Sequence, residues 1–480
     1  MSHQDIYSLK TRRQFLGKCG LSLGAIALAS LMRADAALGG VVSSPGAVIN
    51  PMLPKLPHFA PKAKSVIFLF MVGGPSHLDM FDYKPALNQR QGEPVPESLV
   101  KGIKFAQITE KQPKLLGSRW KFNRHGDCGA YVSELMPHTA AIVDDIAFVK
   151  TVRADDTNHF FAELQMNTGW RQAGRPSMGS WVTYGLGSES LNLPGFVVLQ
   201  SGGTPRSKSG NYSAGFLPAA YQGVPFRSTG EPILNLSDPP GFSRDRQHRT
   251  IDAINKMNSL HFAATGDPEI TARISAYELA FRMQTSAPEL LDLTSESPET
   301  LKLYGADPHQ PSFARNCLHA RRLVESGVRF VQLFHGDWDH HSHLETGLPG
   351  MCESVDRASA ALVTDLKKRG LLDETLVVWG GEFGRTPMAQ IDKSASVGRD
   401  HHIHAFPMWL AGGGVKAGCT VGATDELGFN AVEDPCHIHD LHATILHLLG
   451  LNHEKLTYRV QGRDYRLTDV AGNVIHKLIA

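Results

Sequence analysis

One unit recurs along this chain and constrains its fold more than any other feature: a short apolar run, then a polar loop, then a segment with helical spacing. The run at Ser65–Met71 is typical of a parallel strand that is buried on both faces. Similar runs predict strands at residues 146–152, 196–200, 328–334, 375–379 and 405–411, and helices are expected at 160–167, 313–326 and 354–368. This alternation predicts an α/β fold in which helices flank a mostly parallel central sheet.

Polar loops follow most of the predicted strands, and one of them is dense in metal-binding side chains. From Asp337 to His343 the chain has two Asp and three His. Carboxylate and imidazole groups are the usual protein ligands of divalent cations. A solvent-exposed polar turn is the alternative, although packing alone rarely explains such density. Asp339 and His343, in a D-x-x-x-H spacing, are therefore predicted to bind metal.

Other ligands are predicted from their position near strand ends. In an open α/β sheet, ligands bind outside the carboxyl ends of the strands, so these loops should meet in one crevice. Glu382 directly follows a predicted strand, and Asp79, with Asp82 as an alternative, lies in the loop after the first strand. His401 and His402 precede a strand, so their loop must deliver them to the crevice. The predicted ion is divalent, with zinc expected first and calcium, magnesium and manganese as alternatives.

Residues 1–36 are predicted to be a signal peptide. Arg12 and Arg13 precede Phe15-Leu16 and an apolar stretch, residues 21–32, that is short for a membrane span. This order resembles the twin-arginine export signal, with an ordinary secretory signal as the alternative. We expect a periplasmic or secreted protein with no transmembrane anchor after cleavage. A linker is expected at 37–64 and one domain at 65–480, with an inserted cap region at about 202–307.

Charge, cysteine spacing and short motifs exclude several classes of function. The 48 Lys and Arg residues nearly balance 47 Asp and Glu, so no basic surface for nucleic acid is expected. The cysteines that follow the signal have no CxxC spacing, which indicates neither a zinc ribbon nor a dense disulfide framework. After the predicted signal peptide, the sequence also lacks the G-x-S-x-G, H-E-x-x-H and P-loop motifs.

Several segments resemble the alkaline phosphatase and sulfatase superfamily. The loop from Asp339 to His343 is similar to the Asp-His-Gly-His-His ligand loop of alkaline phosphatases, and Thr157-Asn158-His159 to the nucleophile segment of nucleotide pyrophosphatases. Glu382 and His401 match further metal-binding segments of that superfamily. A more specific resemblance is to a family of uncharacterised exported bacterial proteins, through GGPS at 73–76, GEFGRTP at 381–387 and GRDHH at 398–402.

The resemblance implies a metal-dependent hydrolase that acts on phosphate or sulfate esters, either small molecules or polysaccharides. Thr157 is then the implied nucleophile, and Asn158 or Arg385 would stabilise the equatorial oxygens of the transferred group. Metal-bound water is the alternative nucleophile.

The sequence also departs from the superfamily pattern. Gly73-Gly74 stands where a metal-binding Asp is usual, and Phe383 stands where a His would follow Glu382. Thr157 directly precedes Asn158 instead of lying three residues before it. A non-catalytic metal- or glycan-binding protein on the same fold is therefore the alternative function.

Overall fold

Strand β1 (Ser65–Met71) lies inside a nine-stranded sheet, and all seven of its residues are buried. The computed structural model describes residues 50–228, 231, 233, 243–392 and 395–480. The other strands of this sheet are β2 (Ile146–Arg153), β3 (Phe196–Ser201), β4 (Val224–Pro225), β5 (Phe330–His335), β6 (Thr375–Gly380), β7 (Phe406–Ala411), β8 (Thr420–Val421) and β9 (Cys436–His437). Their order is β8-β2-β7-β6-β1-β5-β3-β4, and β9 also pairs with β2.

The sheet is mostly parallel, as predicted. Strand β1 is parallel to β5 and β6, β3 is parallel to β4 and β5, and β2 is parallel to β8 and β9. Strand β7 is antiparallel to both of its neighbours, β2 and β6. The beginning of β7 therefore lies at the same edge of the sheet as the carboxyl ends of the parallel strands. This reversal brings the residues just before β7 to the edge where ligands bind in α/β proteins.

Helices connect these strands: α1 (Pro85–Gln89), α2 (Glu97–Val100), α3 (Pro137–Ala140), α4 (His159–Thr168), α5 (Met178–Leu186), α6 (Arg244–Thr265), α7 (Pro268–Leu291), α8 (Pro298–Tyr304), α9 (Phe313–Glu325), α10 (Leu344–Lys368) and α11 (Ile438–Leu448). Two-stranded sheets pair Phe122–His125 with Ala130–Ser133, Gly384–Arg385 with His401–His402, Gln390–Ile391 with Val397–Gly398, Ala423–Thr424 with Ala431–Glu433, and Tyr458–Val460 with Arg463–Tyr465.

Apolar layers cover both faces of the central sheet. Successive side chains of a strand point to opposite faces, so β1 contributes to both layers. Ile67, Leu69 and Met71 pack in a cluster that includes residues of α9 and α10. Val66, Phe68 and Phe70 pack in a second cluster with residues of α5 and α11. Burial on both faces explains why the strands have continuous apolar runs instead of alternating ones.

The predicted signal peptide and residues 37–49 of the predicted linker lie outside the described residues. In the proposed cap region, α6 packs on α7, and α7 also packs against α9. The inserted character of residues 202–307 stays a prediction. In the described part of the chain, no helix combines the length and the apolar character that a membrane span requires.

Candidate metal centre

Four side chains converge near the carboxyl edge of the sheet: His159, Asp339, His341 and His401. One potential ligand atom from each lies within 4.8 Å of the other three. Asp339 is the most accessible of the four, with 29% of its side chain exposed. The three histidine side chains are largely covered, so solvent reaches the group mainly at Asp339.

Three separate parts of the fold supply these residues. His159 is the first residue of α4, whose N-terminus is capped by the Asn158 side chain accepting from the Phe160 amide at 3.0 Å. Asp339 and His341 lie in the loop after β5. His401 lies in the small sheet whose other strand is Gly384–Arg385. The antiparallel strand β7 follows directly, which explains how a histidine before a strand reaches this edge.

The Asp339 carboxylate lies between the three imidazoles. His341 Nε2 is 3.0 Å from Asp339 Oδ1, and His401 Nε2 is 3.2 Å from the same oxygen. These two nitrogens are only 2.8 Å apart. On the other side, His159 Nε2 lies 3.1 Å from Asp339 Oδ2. That nitrogen is buried and has no hydrogen-bond partner among the described residues.

Each imidazole has an outer nitrogen, Nδ1, which is not the nitrogen that faces Asp339. This outer nitrogen contacts an oxygen that can only accept a hydrogen bond. At 2.6 Å each, Nδ1 of His159 donates to Glu382 Oε1, Nδ1 of His341 to Gln390 Oε1, and Nδ1 of His401 to the Thr157 carbonyl. A neutral imidazole that is protonated at Nδ1 has an unprotonated Nε2. Metal-binding histidines typically have such an outer hydrogen bond, which sets the tautomer and the ring orientation.

The arrangement of donor atoms fits a divalent cation. Three unprotonated nitrogens and a carboxylate that face one point repel one another unless positive charge lies among them. Imidazole nitrogen and carboxylate oxygen are the ligand types that zinc takes in proteins. The site is therefore a possible metal centre, with zinc as the ion that its donors suit best.

The same contacts perturb the pKa values of these groups. Burial would lower the pKa of His159, but its contacts with Asp339 and Glu382 outweigh burial and raise it to about 9. Burial lowers the pKa of His401 to about 4, against the opposing contact with Asp339. Burial would raise the pKa of Asp339, but its close contacts with the three histidines hold it far below its ordinary value. Without metal, a protonated His159 supplies the positive charge that Asp339 requires.

Arg385 forms an ion pair with Asp339 and holds its carboxylate in place. Its side chain is fully buried, and its Nη2 is 2.7 Å from Asp339 Oδ1. The guanidinium also donates to the backbone carbonyls of Gly73, Gly74 and Arg399. Most of its donors are therefore used within the protein, and the structure places Arg385 as a residue that positions Asp339. Its role toward substrate oxygens stays a prediction.

Four of the six predicted metal ligands do not join the group, and three of these four, Asp79, His343 and His402, have other surroundings. Asp79 is buried and forms a two-point ion pair with Arg399, at 2.8 and 3.1 Å. His402 is next to His401 in a strand, so its side chain points the opposite way, and its Nε2 donates to the Phe429 carbonyl at 2.7 Å. His343 is exposed, with a left-handed φ of 53°.

The remaining predicted site residues lie around the group. Glu382 is fully buried, and its Oε1 accepts from His159 and from the Gly73 amide at 2.9 Å. The carboxylate thus contacts a potential metal ligand through its outer nitrogen. Thr157 contributes its carbonyl to His401, and its side chain is partly buried. Asn158 uses its side-chain oxygen to cap α4.

The sequence did not indicate His159 and His341 as candidate ligands, although both belong to the four-residue group. His341 lies among neighbouring histidines, and the D-x-x-x-H spacing predicts Asp339 and His343 as the ligand pair instead. His159 had a usable signal, since it follows a capping Asn at the start of a helix just after a strand. A helix start at the carboxyl edge of a sheet is a common place for functional side chains.

We expect Glu382→Gln to weaken metal binding by about 10- to 100-fold, because it removes the charged acceptor that orients His159. Competition between the protein and a chromogenic chelator for zinc measures this affinity. Glu374→Gln is the matched control, because Glu374 is about half exposed and pairs only with Lys64 among its recorded ion pairs. Equal affinities in the two variants would contradict the orienting role of Glu382.

The comparisons with known proteins identify a family. A sequence model described as "Protein of unknown function (DUF1501)" matches residues 63–479. The chain belongs to the DUF1501 family. No curated protein matches it.

Solved structures that resemble this DUF1501 protein are distant from it. The lipoteichoic acid synthase LtaP from Listeria monocytogenes is 10% identical, with 88% of this chain and 79% of LtaP covered and a TM-score of 0.36. The alkaline phosphatase of the Antarctic bacterium TAB5 is 12% identical, with 81% and 98% covered and a TM-score of 0.32. A protein of the alkaline phosphatase superfamily from Vibrio parahaemolyticus is 11% identical, with 87% and 74% covered and a TM-score of 0.32.

Proposed function

We propose that this DUF1501 protein is an exported metal-dependent hydrolase of phosphate or sulfate esters. The observation that carries the proposal is the convergence of His159, His341 and His401 on Asp339, with each outer nitrogen engaged by an oxygen acceptor. Such preorganisation is expected of a metal site and has no evident purpose in packing alone. The substrate would be a small-molecule or polysaccharide ester whose charged oxygens meet the open side of the site.

The chain's own residues would have distinct parts in this reaction. A bound divalent ion would supply charge neutralisation for the ester oxygens. Asp339 and the three histidines would hold the ion, and Arg385 would keep Asp339 in place. Phe383 packs beside His159 and His401, with ring centroids 4.9 and 4.5 Å away, and restricts water on that side. The Thr157 hydroxyl oxygen would form a bond to the phosphorus or sulfur of the ester while the bond from that atom to the leaving oxygen breaks, and the departing alcohol would take up the hydroxyl proton. The Thr157 carbonyl accepts from His401 and so holds this residue beside the site.

Purified protein should contain a divalent metal and should turn over an aryl phosphate or an aryl sulfate. Thr157→Ala should keep the metal, since the carbonyl that binds His401 is unchanged, and should lose turnover by orders of magnitude. Elemental analysis and chromogenic assays on the same samples check both statements. Turnover that survives Thr157→Ala would reject the nucleophile assignment, whereas the absence of metal from the wild-type protein would reject the hydrolase proposal as a whole.

A non-catalytic metal- or glycan-binding protein is a second candidate function. Four protein ligands would fill the coordination of a tetrahedral zinc ion, as they do in structural sites, whereas catalytic sites keep one position open. The buried hydrogen bonds of Arg385 point in the same direction, because they leave few donors for a substrate. Metal without turnover of either ester would favour this candidate.

Export is part of the proposal and depends on the N-terminal sequence. Arg12 and Arg13 are proposed to direct the folded, metal-loaded protein through the twin-arginine route to the periplasm or the exterior. Cell fractionation of the full chain tests this proposal. Protein that stays in the cytoplasm would reject it without bearing on the metal site.

A further inference from the structure

A serine and a histidine meet at the carboxyl ends of two neighbouring strands, apart from the four-residue metal group. Ser201 is the last residue of β3 and His335 is the last residue of β5, and the parallel register places them opposite each other. Ser201 Oγ lies 2.9 Å from His335 Nδ1. Gly202 follows with a φ of +65°, and a Cβ there would lie 3.1 Å from the Gly336 backbone. The strand therefore ends in a tight turn that favours glycine directly after the serine.

A third residue, Ser354, determines the direction of the hydrogen bonds around His335. The Ser354 hydroxyl donates to the Met351 carbonyl at 2.7 Å, which uses its single proton. It must therefore accept from His335 Nε2, which lies 3.0 Å away. A neutral His335 then has an unprotonated Nδ1, so the Ser201 hydroxyl is the donor in the remaining bond. Ser201 is therefore the donor, His335 is the acceptor, and the Ser354 hydroxyl orients the imidazole from its other side.

These three residues line a cavity of about 770 Å³. Its wall also includes Gly202, Phe313 and Pro349, so polar hydrogen-bonding groups lie beside apolar surface. The His335 ring packs against Phe313, with centroids 5.0 Å apart, which restricts its rotation. A small uncharged ligand could thus approach Ser201 while the histidine stays in place.

We propose that Ser201 and His335 form a second reactive centre, in which a serine hydroxyl activated by a histidine base acts on small carboxylic esters. Ser201 Oγ attacks the ester carbonyl carbon and passes its proton to His335 Nδ1. The bond between that carbon and the alkoxy oxygen breaks, and the departing alcohol takes the proton from His335. Water then cleaves the acyl-serine by the same route, which releases the carboxylic acid and restores both side chains.

The electrostatics of His335 agree with this role. Burial lowers the pKa of His335 to about 4, in spite of the nearby charge of Asp337. The ring is therefore neutral at pH 7 and has a free nitrogen for the proton of Ser201. The reactivity of the Ser201 hydroxyl is therefore the property to measure.

A fluorophosphonate probe tests the proposal on the full chain, with a metal chelator present so that the metal centre takes no part. Ser201 Oγ should form a bond to phosphorus as the P–F bond breaks and fluoride leaves, and tandem mass spectrometry should locate the adduct on Ser201. Ser312 lines the same cavity, but its hydroxyl oxygen accepts from the Arg315 amide and no histidine of the described residues bonds to it, so it should stay unlabelled. Protein unfolded in urea should also remain unlabelled at Ser201.

His335→Gln should slow labelling by about 100-fold or more, because it removes the general base. Labelling of Ser201 at the wild-type rate in this variant would overturn the proposal. So would folded wild-type protein without an adduct on Ser201, and this second result needs no substitution to fold correctly. Neither result would affect the proposed metal-dependent activity, since the assay runs with the metal removed.

Discussion

Asp339→Asn should reduce zinc affinity by more than about 100-fold, beyond the range typical of residues that only orient a ligand. The side chain keeps its shape but loses the negative charge that lies within 3.2 Å of the three imidazole Nε2 atoms. Arg385, fully buried beside it, would also lose its ion-pair partner. Isothermal titration with zinc, after removal of bound metal and dialysis, measures the loss.

His343→Ala is the matched comparison for Asp339→Asn. From the sequence alone, Asp339 and His343 form the strongest ligand pair, and both substitutions would release metal. Because the His343 side chain is exposed and lies outside the four-residue group, we now expect the His343 variant to bind zinc as the wild type does. A large loss in His343→Ala together with retained binding in Asp339→Asn would contradict the site described above.

Arg399→Met should destabilise the protein by about 3–5 kcal/mol, as expected when one partner is removed from a buried ion pair. The side chains of Arg399 and Asp79 are 0% and 1% exposed. Arg399 also donates to the carbonyls of Leu116, Gly117 and Thr386, so several acceptors would lose their partner. The free energy of unfolding from urea titration measures this change.

Arg119→Met provides the surface control. Arg119 pairs with Glu345, and both side chains are more than 60% exposed, at 62% and 63%. Screening by solvent limits such a pair to about 0–1 kcal/mol, so little change is expected. An Arg399 variant no less stable than the Arg119 variant would contradict the structural role of the Asp79 pair.

The Asp79→Asn variant should likewise be less stable than the wild type, but it should still bind metal. Loss of metal from a folded Asp79 variant would return that residue to the ligand set.

Much of the fold could be predicted from local patterns. The apolar run at Ser65–Met71 forms β1 with those bounds, and the helix expected at 313–326 is α9. Such runs are informative because a strand buried on both faces needs apolar side chains at every position. The reversal of β7 was not predictable in this way, since the same apolar run serves a parallel or an antiparallel neighbour.

The candidate site was predicted less completely, for a reason visible in single residues. Sequence patterns located the loop with Asp339 and the segment with His401, and both reach the group. They did not distinguish His341 from His343, because backbone φ at His343 and the course of the loop decide which ring turns inward. They also could not show that Glu382 contacts His159 through Nδ1, a contact between residues more than 200 positions apart.

The sequence by itself determined the long strands of the central sheet, several of the helices between them and the loops that are rich in acidic residues and histidines. These features follow from burial and backbone preferences within a few neighbouring residues. Only the tertiary structure decided which side chains share a site, which carboxylate faces an imidazole and which faces an arginine. Asp79 and Asp339 are both acidic residues in loops after parallel strands, yet one pairs with buried Arg399 and the other lies among three histidines. Their surroundings come from distant parts of the chain, so the residues next to them in the sequence do not indicate these contacts.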